Sequence, residues 1–300
     1  MSVRSIRFDW FVKNLWRDKS SFVRVEGFLS ELLKDDIKIV EVLESEANQD
    51  APERKFNRVD IVVKNDRGEI FLIELQNSDE PDYFYRMLFG VSKAISERVK
   101  IGDRYGTLAK VYSINIVYFD LGHGKDYVYH GTTQFEGIHR HDILQLTEKQ
   151  QQFLGKTDVA KVFPEYYILK VNRFDLQTRD TLDEWLYYLQ TDEIKEEFRA
   201  KGLVEARQKL LVDNLPAAQR RAYEKFLDNQ AYERNSVEWA AKKGIAKGEK
   251  QGVKKGLEKG LAQGRAEAIR ETAINLKKLG IPAAQIITAT GLTKAEIDKI

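Results

Sequence analysis

Two short runs hold the residues best suited to chemistry. Asp60 stands inside Asn57-Arg58-Val59-Asp60-Ile61-Val62-Val63. Glu74 and Gln76 follow fourteen and sixteen residues later, inside Ile73-Glu74-Leu75-Gln76. Between the runs lies Asn65-Asp66-Arg67-Gly68, whose residue types tolerate the positive φ angles of a tight hairpin turn. Side chains at i and i+2 of a strand share a face. Glu74 and Gln76 therefore point one way with Leu72, and Phe71, Ile73 and Leu75 the other. A hairpin turned at 65–68 brings Asp60 beside Glu74 across the ladder. Two carboxylates that close in a β-rich core repel each other and lose hydration. A hard divalent cation relieves both costs through oxygen ligands. It can also polarise a phosphodiester and lower the pKa of a bound water. The competing reading is a pair of solvent-edge carboxylates, or salt-bridge partners for Lys55, Arg58 and Arg86.

The surrounding elements read as mixed α/β over residues 1–175. Phe22 to Leu33 has apolar residues at helical spacing (Val25, Phe28, Leu29, Leu32, Leu33), and Ile37 to Leu43 alternates as a strand. Asn48 to Arg54 reads as a loop, and the hairpin strands are Phe56 to Lys64 and Glu69 to Gln76. Asp82 to Lys100 returns to helical spacing and stops before Gly102. Val111 to Phe119 is nearly all apolar, as expected of a central strand covered on both faces. Tyr127 to Phe135 and Tyr166 to Phe174 are further strands, which gives a sheet sandwiched by helices. Residues 176–240 read as a helical region, with helices over Leu182–Leu189, Glu193–Ala200, Val204–Leu211 and Ala217–Asn229. The last region, 241–300, is a basic glycine-repeat helix with a small helical tail.

The Asp60…Glu74-Leu75-Gln76 hairpin in this order of elements resembles the PD-(D/E)xK nuclease superfamily. More closely, it resembles the bacterial recombination-promoting nuclease and putative transposase family. Phe56-Asn57-Arg58-Val59-Asp60, Tyr83-Phe84-Tyr85-Arg86-Met87-Leu88, Tyr127-Val128-Tyr129-His130-Gly131 and Pro164-Glu165-Tyr166-Tyr167 match its style, as does the glycine-rich tail. The resemblance implies an α/β restriction-endonuclease-like core with a C-terminal helical extension. It further implies Mg²⁺ (or Mn²⁺) on Asp60, Glu74 and the main-chain carbonyl of Leu75, and DNA as substrate. Glu31, with Glu26 as the alternative, would add a carboxylate from the first helix. Gln76 stands where the superfamily more often has Lys; it can orient a water or a phosphate oxygen but carries no charge and exchanges no proton near neutrality. Arg86 either reaches a scissile phosphate or pairs with Glu74. The implied activity is Mg²⁺-dependent endonucleolytic hydrolysis linked to recombination, mobile elements or defence. No spread of three acidic residues along a ribonuclease-H-like fold accompanies the transposase name. The alternative is a catalytically weak nuclease-fold scaffold acting through oligomerisation or nucleic-acid binding.

Composition narrows the rest. There is no cysteine, which excludes disulfides and thiolate chemistry and suits a reducing, cytoplasmic compartment. No run of about 18 apolar residues is present, so no membrane span is expected, and the first nineteen residues, polar and aromatic with no apolar h-region, are not expected to act as a signal peptide. Overall charge is +2, but Lys242 to Arg270 alone nets +6 and the remainder −4, so contact with a polyanion is local. Lys250, Lys254 and Lys255 are the candidates for a phosphate backbone. Glycine recurs at 244, 248, 252, 256, 260 and 264. That stripe lets a second helix approach closely, which predicts a homo-oligomer, or else it forms a solvated linker. The tail after Gly280 has the Gly turn of a helix-turn-helix and a Thr293/Glu296 capping box, or serves as a packing element. Tyr83 and Tyr85 are read as packing residues, and the four histidines as surface or structural groups.

Overall fold

The structure, a computed structural model, describes residues 3–14, 22–45, 60–98, 104–209 and 211–300. The elements in chain order are β1 (Val3–Arg4), α1 (Phe8–Asn14), α2 (Phe22–Leu33), β2 (Ile39–Ser45), β3 (Ile61–Asn65), β4 (Ile70–Gln76), α3 (Tyr83–Ser96), β5 (Val111–Val117) and β6 (Val128–Gly131). There follow α4 (Glu148–Leu154), β7 (Glu165–Lys170), α5 (Thr181–Thr191), β8 (Glu193–Ile194), α6 (Leu203–Lys209), α7 (Ala217–Lys278), α8 (Ala283–Thr290) and α9 (Lys294–Asp298).

Six strands form one mixed sheet in the order β2-β3-β4-β5-β7-β6. The expected hairpin is present: β3 and β4 pair antiparallel with Ile61 opposite Ile73 and Val63 opposite Phe71. Gly68 supplies the turn's positive φ of 79°. β5 runs parallel to both β4 and β7, and Ile114, Ile116 and Val117 are fully buried, as its continuous apolar run requires. Val62, Ile70 and Leu72 pack with Val91 and Ala94 of α3 and with Val111. Ile61, Val63, Phe71 and Ile73 alternate to the opposite face and are equally buried. α2 packs with α5, where Phe8, Phe28, Trp185 and Tyr188 form an aromatic cluster with ring centroids 5.5–6.4 Å apart.

Several expectations are corrected. Glu193–Ala200 is not a helix: Asp192 ends α5 in the left-handed conformation, and Glu193 and Ile194 then pair with Arg4 and Val3. A strand partner almost two hundred residues away overrides local helical propensity. α1 and α4 were not expected from the sequence. β6 covers only Val128–Gly131, and β7 ends at Lys170 in a 3₁₀ turn, Val171–Arg173. Phe56–Val59 and the loop Asn48–Arg54 lie outside the described residues.

Two compact units divide the chain, Met1–Tyr223 and Glu224–Ile300. Trp185, Leu186, Tyr188 and Leu189 of α5 are buried, and the rings of Trp185 and Tyr188 pack on Phe8. α7 runs unbroken through residue 240 and all six repeat glycines. In the second unit, α8 and α9 close a small core on the end of α7 from Ala273, Ile286 and Ile297, with Leu276, Ile281, Leu292 and Ile300 around it. The Thr293/Glu296 capping box is formed, and Gly280 and Gly291 take the positive φ angles of the turns. This favours the packing role for the tail. Among the described residues no helix is long and apolar enough to cross a membrane.

Candidate active site

The pairing of Ile61 with Ile73, continued by one position, sets Asp60 opposite Glu74. Residues directly opposite in an antiparallel pair project to the same face with Cβ atoms about 4.5–5.5 Å apart. Val62 and Leu72 fix that face as the one that packs against α3. Asp60 does more than sit there. Its Oδ2 accepts the Leu75 N–H at 2.6 Å. In such a pair the N–H and C=O of one residue project to the same edge, so the Leu75 carbonyl also points to the Asp60 side. Both carboxylates are buried, Asp60 6% and Glu74 4% exposed.

The electrostatics follow from that burial. Desolvation pushes the Glu74 carboxyl up from 4.5 to about 7, with Asp60 and Glu80 adding to the rise and Arg86 opposing it. Arg86, one turn into α3, pairs through Nη2 with Glu74 Oε1. Its Nη1 donates to both oxygens of Glu80, at 2.8 and 3.0 Å. Gln76 Nε2 donates to Glu80 Oε1 at 2.7 Å and to the Ser78 carbonyl at 3.2 Å. Two acceptors fix the amide's orientation, so Gln76 Oε1 is the end turned away from Glu80. Beneath the pair, Tyr83 is fully buried and donates to Asn115 Oδ1 at 3.2 Å. Asn115 lies opposite Glu74 on β5 and donates to the Tyr167 carbonyl and to Ser113. Burial, then Glu74, raises the Tyr83 hydroxyl pKa well above its ordinary value.

Glu31 is held elsewhere. Its carboxylate accepts from the Thr181 hydroxyl and from the Lys201 N–H at 3.1 Å, and lies 3.8 Å from Lys34, tying α2 to the helical segment beyond β7. Glu26 accepts the Ile39 N–H at 2.7 Å. Ile39 pairs with Asn65, at the end of β3 remote from Asp60. Among the described residues no three His, Asp or Glu side chains gather as a ligand set. Lys250, Lys254 and Lys255 are exposed on α7 in the second unit. His130 pairs with Glu165 at 2.8 Å and stacks on Tyr167, and His141 pairs with Glu136 at 2.7 Å.

Two readings are amended. Tyr83 packs, in edge contact with Phe119 at 5.7 Å, but Tyr85 is 77% exposed and shares an open face of α3 with Phe84, Leu88 and Phe89. Glu80 was missed altogether. The signal for it was its position four residues past Gln76, in the acidic turn Asp79-Glu80-Pro81-Asp82 that leads into α3.

The donor set suits a hard divalent ion: two buried carboxylates on one face, a main-chain carbonyl aimed to the same side, and a guanidinium supplying the positive charge that Glu74 now faces. The family model described as PD-(D/E)XK nuclease family transposase matches residues 7–240. No curated protein and no solved structure matches the chain. With the model spanning the whole α/β sheet and the hairpin with its carboxylate pair, the chain belongs to the PD-(D/E)XK nuclease family transposases.

Proposed function

We propose that the protein is a divalent-cation-dependent endonuclease acting on DNA, with Asp60 and Glu74 as its metal-holding carboxylates. The observation that carries the reading is the Leu75 N–H bond to Asp60, which fixes the first carboxylate beside the second on one buried face. Asp60, Glu74 and the Leu75 carbonyl would hold Mg²⁺ or Mn²⁺, leaving the other positions to water and phosphate oxygens, the usual pattern for Mg²⁺. The ion, when bound, supplies a nucleophilic hydroxide and charge on the phosphoryl oxygens. Gln76 Oε1 would accept a hydrogen bond from the attacking water and so set its direction. Arg86 offers positive charge to the phosphate. Family membership supports a link to recombination, mobile elements or defence, and the absence of cysteine supports a cytoplasmic setting. Nicking of supercoiled plasmid with Mg²⁺ or Mn²⁺ tests the proposal. Wild type should nick and Asp60→Ala should not; equal activity in both, or none in wild type, overturns it.

A second reading is favoured by the contacts of Gln76 and Arg86, both engaged by acidic neighbours. In it, the chain is a catalytically weak nuclease-fold scaffold that acts through α7. Lys250, Lys254 and Lys255 would track a phosphate backbone. The glycine stripe would seat a second copy: beyond its chain neighbours and the adjoining helix backbone, a Cβ added at any of the six glycines meets no described atom within 4 Å, and Val253, Leu257 and Leu261 beside them are 62–73% exposed. Replacing Gly252 and Gly256 with Leu should lower the mass read by light scattering. An unchanged mass removes the stripe from the assembly.

A further inference from the structure

The side chains around the carboxylate pair share partners in a way that holding a metal does not by itself require. The guanidinium of Arg86 is divided between two acids: Nη2 faces Glu74, and Nη1 is bonded to both oxygens of Glu80. Glu74 is nearly inaccessible, its side chain 6% exposed, whereas that of Glu80 is 31% exposed and rises from the turn before α3. Glu80 Oε1 also receives Gln76. A divalent ion held by Glu74 would compete with the guanidinium for its Oε1. Whichever loses must not be stranded, because an unpaired half-buried cation is expensive.

We propose that Arg86 has two seats and that Glu80 is the positioning residue that makes the exchange possible. Facing Glu74, Arg86 holds the place of the divalent ion; when the ion arrives, Glu80 keeps the guanidinium, with its charge paired, at the edge of the site where a phosphate is received. The inference rests on the metal-site reading of Asp60 and Glu74 and adds to it a built-in competitor. The same two acids explain why Gln76 suffices beside them: Glu80 aligns its amide, and the mobile positive charge comes from Arg86.

The test is a double-mutant cycle on Mn²⁺ affinity, read by electron paramagnetic resonance of free Mn²⁺ at pH 8. The proteins are wild type, Arg86→Gln, Glu80→Gln and the double variant, with Asp60→Asn as control and thermal melting to verify folding. If Arg86 occupies Glu74 in about nine molecules of ten, apparent affinity is about tenfold below its intrinsic value. Arg86→Gln should therefore bind Mn²⁺ about tenfold more tightly. Glu80→Gln should weaken binding while Arg86 is present and change it less than about twofold once Arg86 is gone. Additive effects would mean that Glu80 acts as a ligand or through its charge alone, and they overturn the proposal. So does an Arg86→Gln protein no tighter than wild type, or one that binds no Mn²⁺. Should Arg86→Gln melt early, Arg86→Lys keeps a cation without the two-pronged reach, and an unaltered affinity there counts equally against the proposal. Asp60→Asn binding Mn²⁺ as wild type does would instead sink the metal-site reading, a different failure from those above.

Discussion

Glu74 makes the pH dependence of this fold predictable. Its carboxyl has an ordinary pKa of 4.5 and a folded value of about 7, raised chiefly by burial. Below pH 4.5 the group is protonated in both the folded and the unfolded chain, and its preference for the folded interior is fully expressed. Between 4.5 and about 7 the unfolded chain has released the proton and the folded chain has kept it, so stability falls as pH rises. Above about 7 both states are ionised and the contribution is gone. A displacement from 4.5 to about 7 corresponds to about 3 kcal/mol. Glu74→Gln removes the titration while keeping the side chain's size. Urea unfolding of the first unit in EDTA, at pH 5 and at pH 8, measures it. Because pH 5 already lies above the unfolded pKa, wild type should lose about 2.5 kcal/mol more than Glu74→Gln between the two conditions. Parallel behaviour of the two proteins would refute the claim that burial, rather than Arg86, dominates this carboxylate.

Other outcomes follow from single contacts. Asp60→Ala leaves the Leu75 N–H without its acceptor and should cost about 1–3 kcal/mol by chemical denaturation, whereas Asp60→Asn keeps an oxygen there and should cost less. Gly27→Ala would place a Cβ 2.3 Å from the Lys201 carbonyl oxygen and 2.6 Å from the Gly202 Cα, backbone atoms that cannot swing aside. It should destabilise the first unit by about 1–3 kcal/mol, and a wild-type melting point would show that α2 can retreat from that strand of chain. Changing Lys250, Lys254 and Lys255 together to Gln should flatten the log–log salt dependence of duplex binding by about 3; an unchanged slope removes them from the interface.

Much of the fold was legible because its signals were local. Asn65 to Gly68 announced the hairpin, the apolar run of Val111 to Val117 announced a strand covered on both faces, and Thr293 with Glu296 announced a helix start. What escaped was set by distant partners. Glu193 and Ile194 carry helical neighbours but are captured by Val3 and Arg4. Glu31 lies on the buried turn of α2 as its spacing suggested, yet Thr181 and Lys201, far along the chain, claim its carboxylate. The pairing of Asp60 with Glu74 could be reasoned from the turn and strand period alone. Glu80 is marked by its spacing from Gln76 but its contacts are not, because a loop residue's reach depends on where α3 begins, and Asp82 and Tyr83 set that start only through the packing of α3 against β5.

The claim on which the account turns is that Asp60 and Glu74 share one divalent ion, and crystals soaked in Mn²⁺ test it most directly. An anomalous peak is expected about 2.0–2.6 Å from a carboxylate oxygen of each residue, the span of Mg²⁺ and Ca²⁺ oxygen ligands, with the Leu75 carbonyl in the same shell and Arg86 drawn toward Glu80. Occupied Mn²⁺ sites elsewhere, with Arg86 still seated on Glu74 and no peak between the two carboxylates, would contradict it.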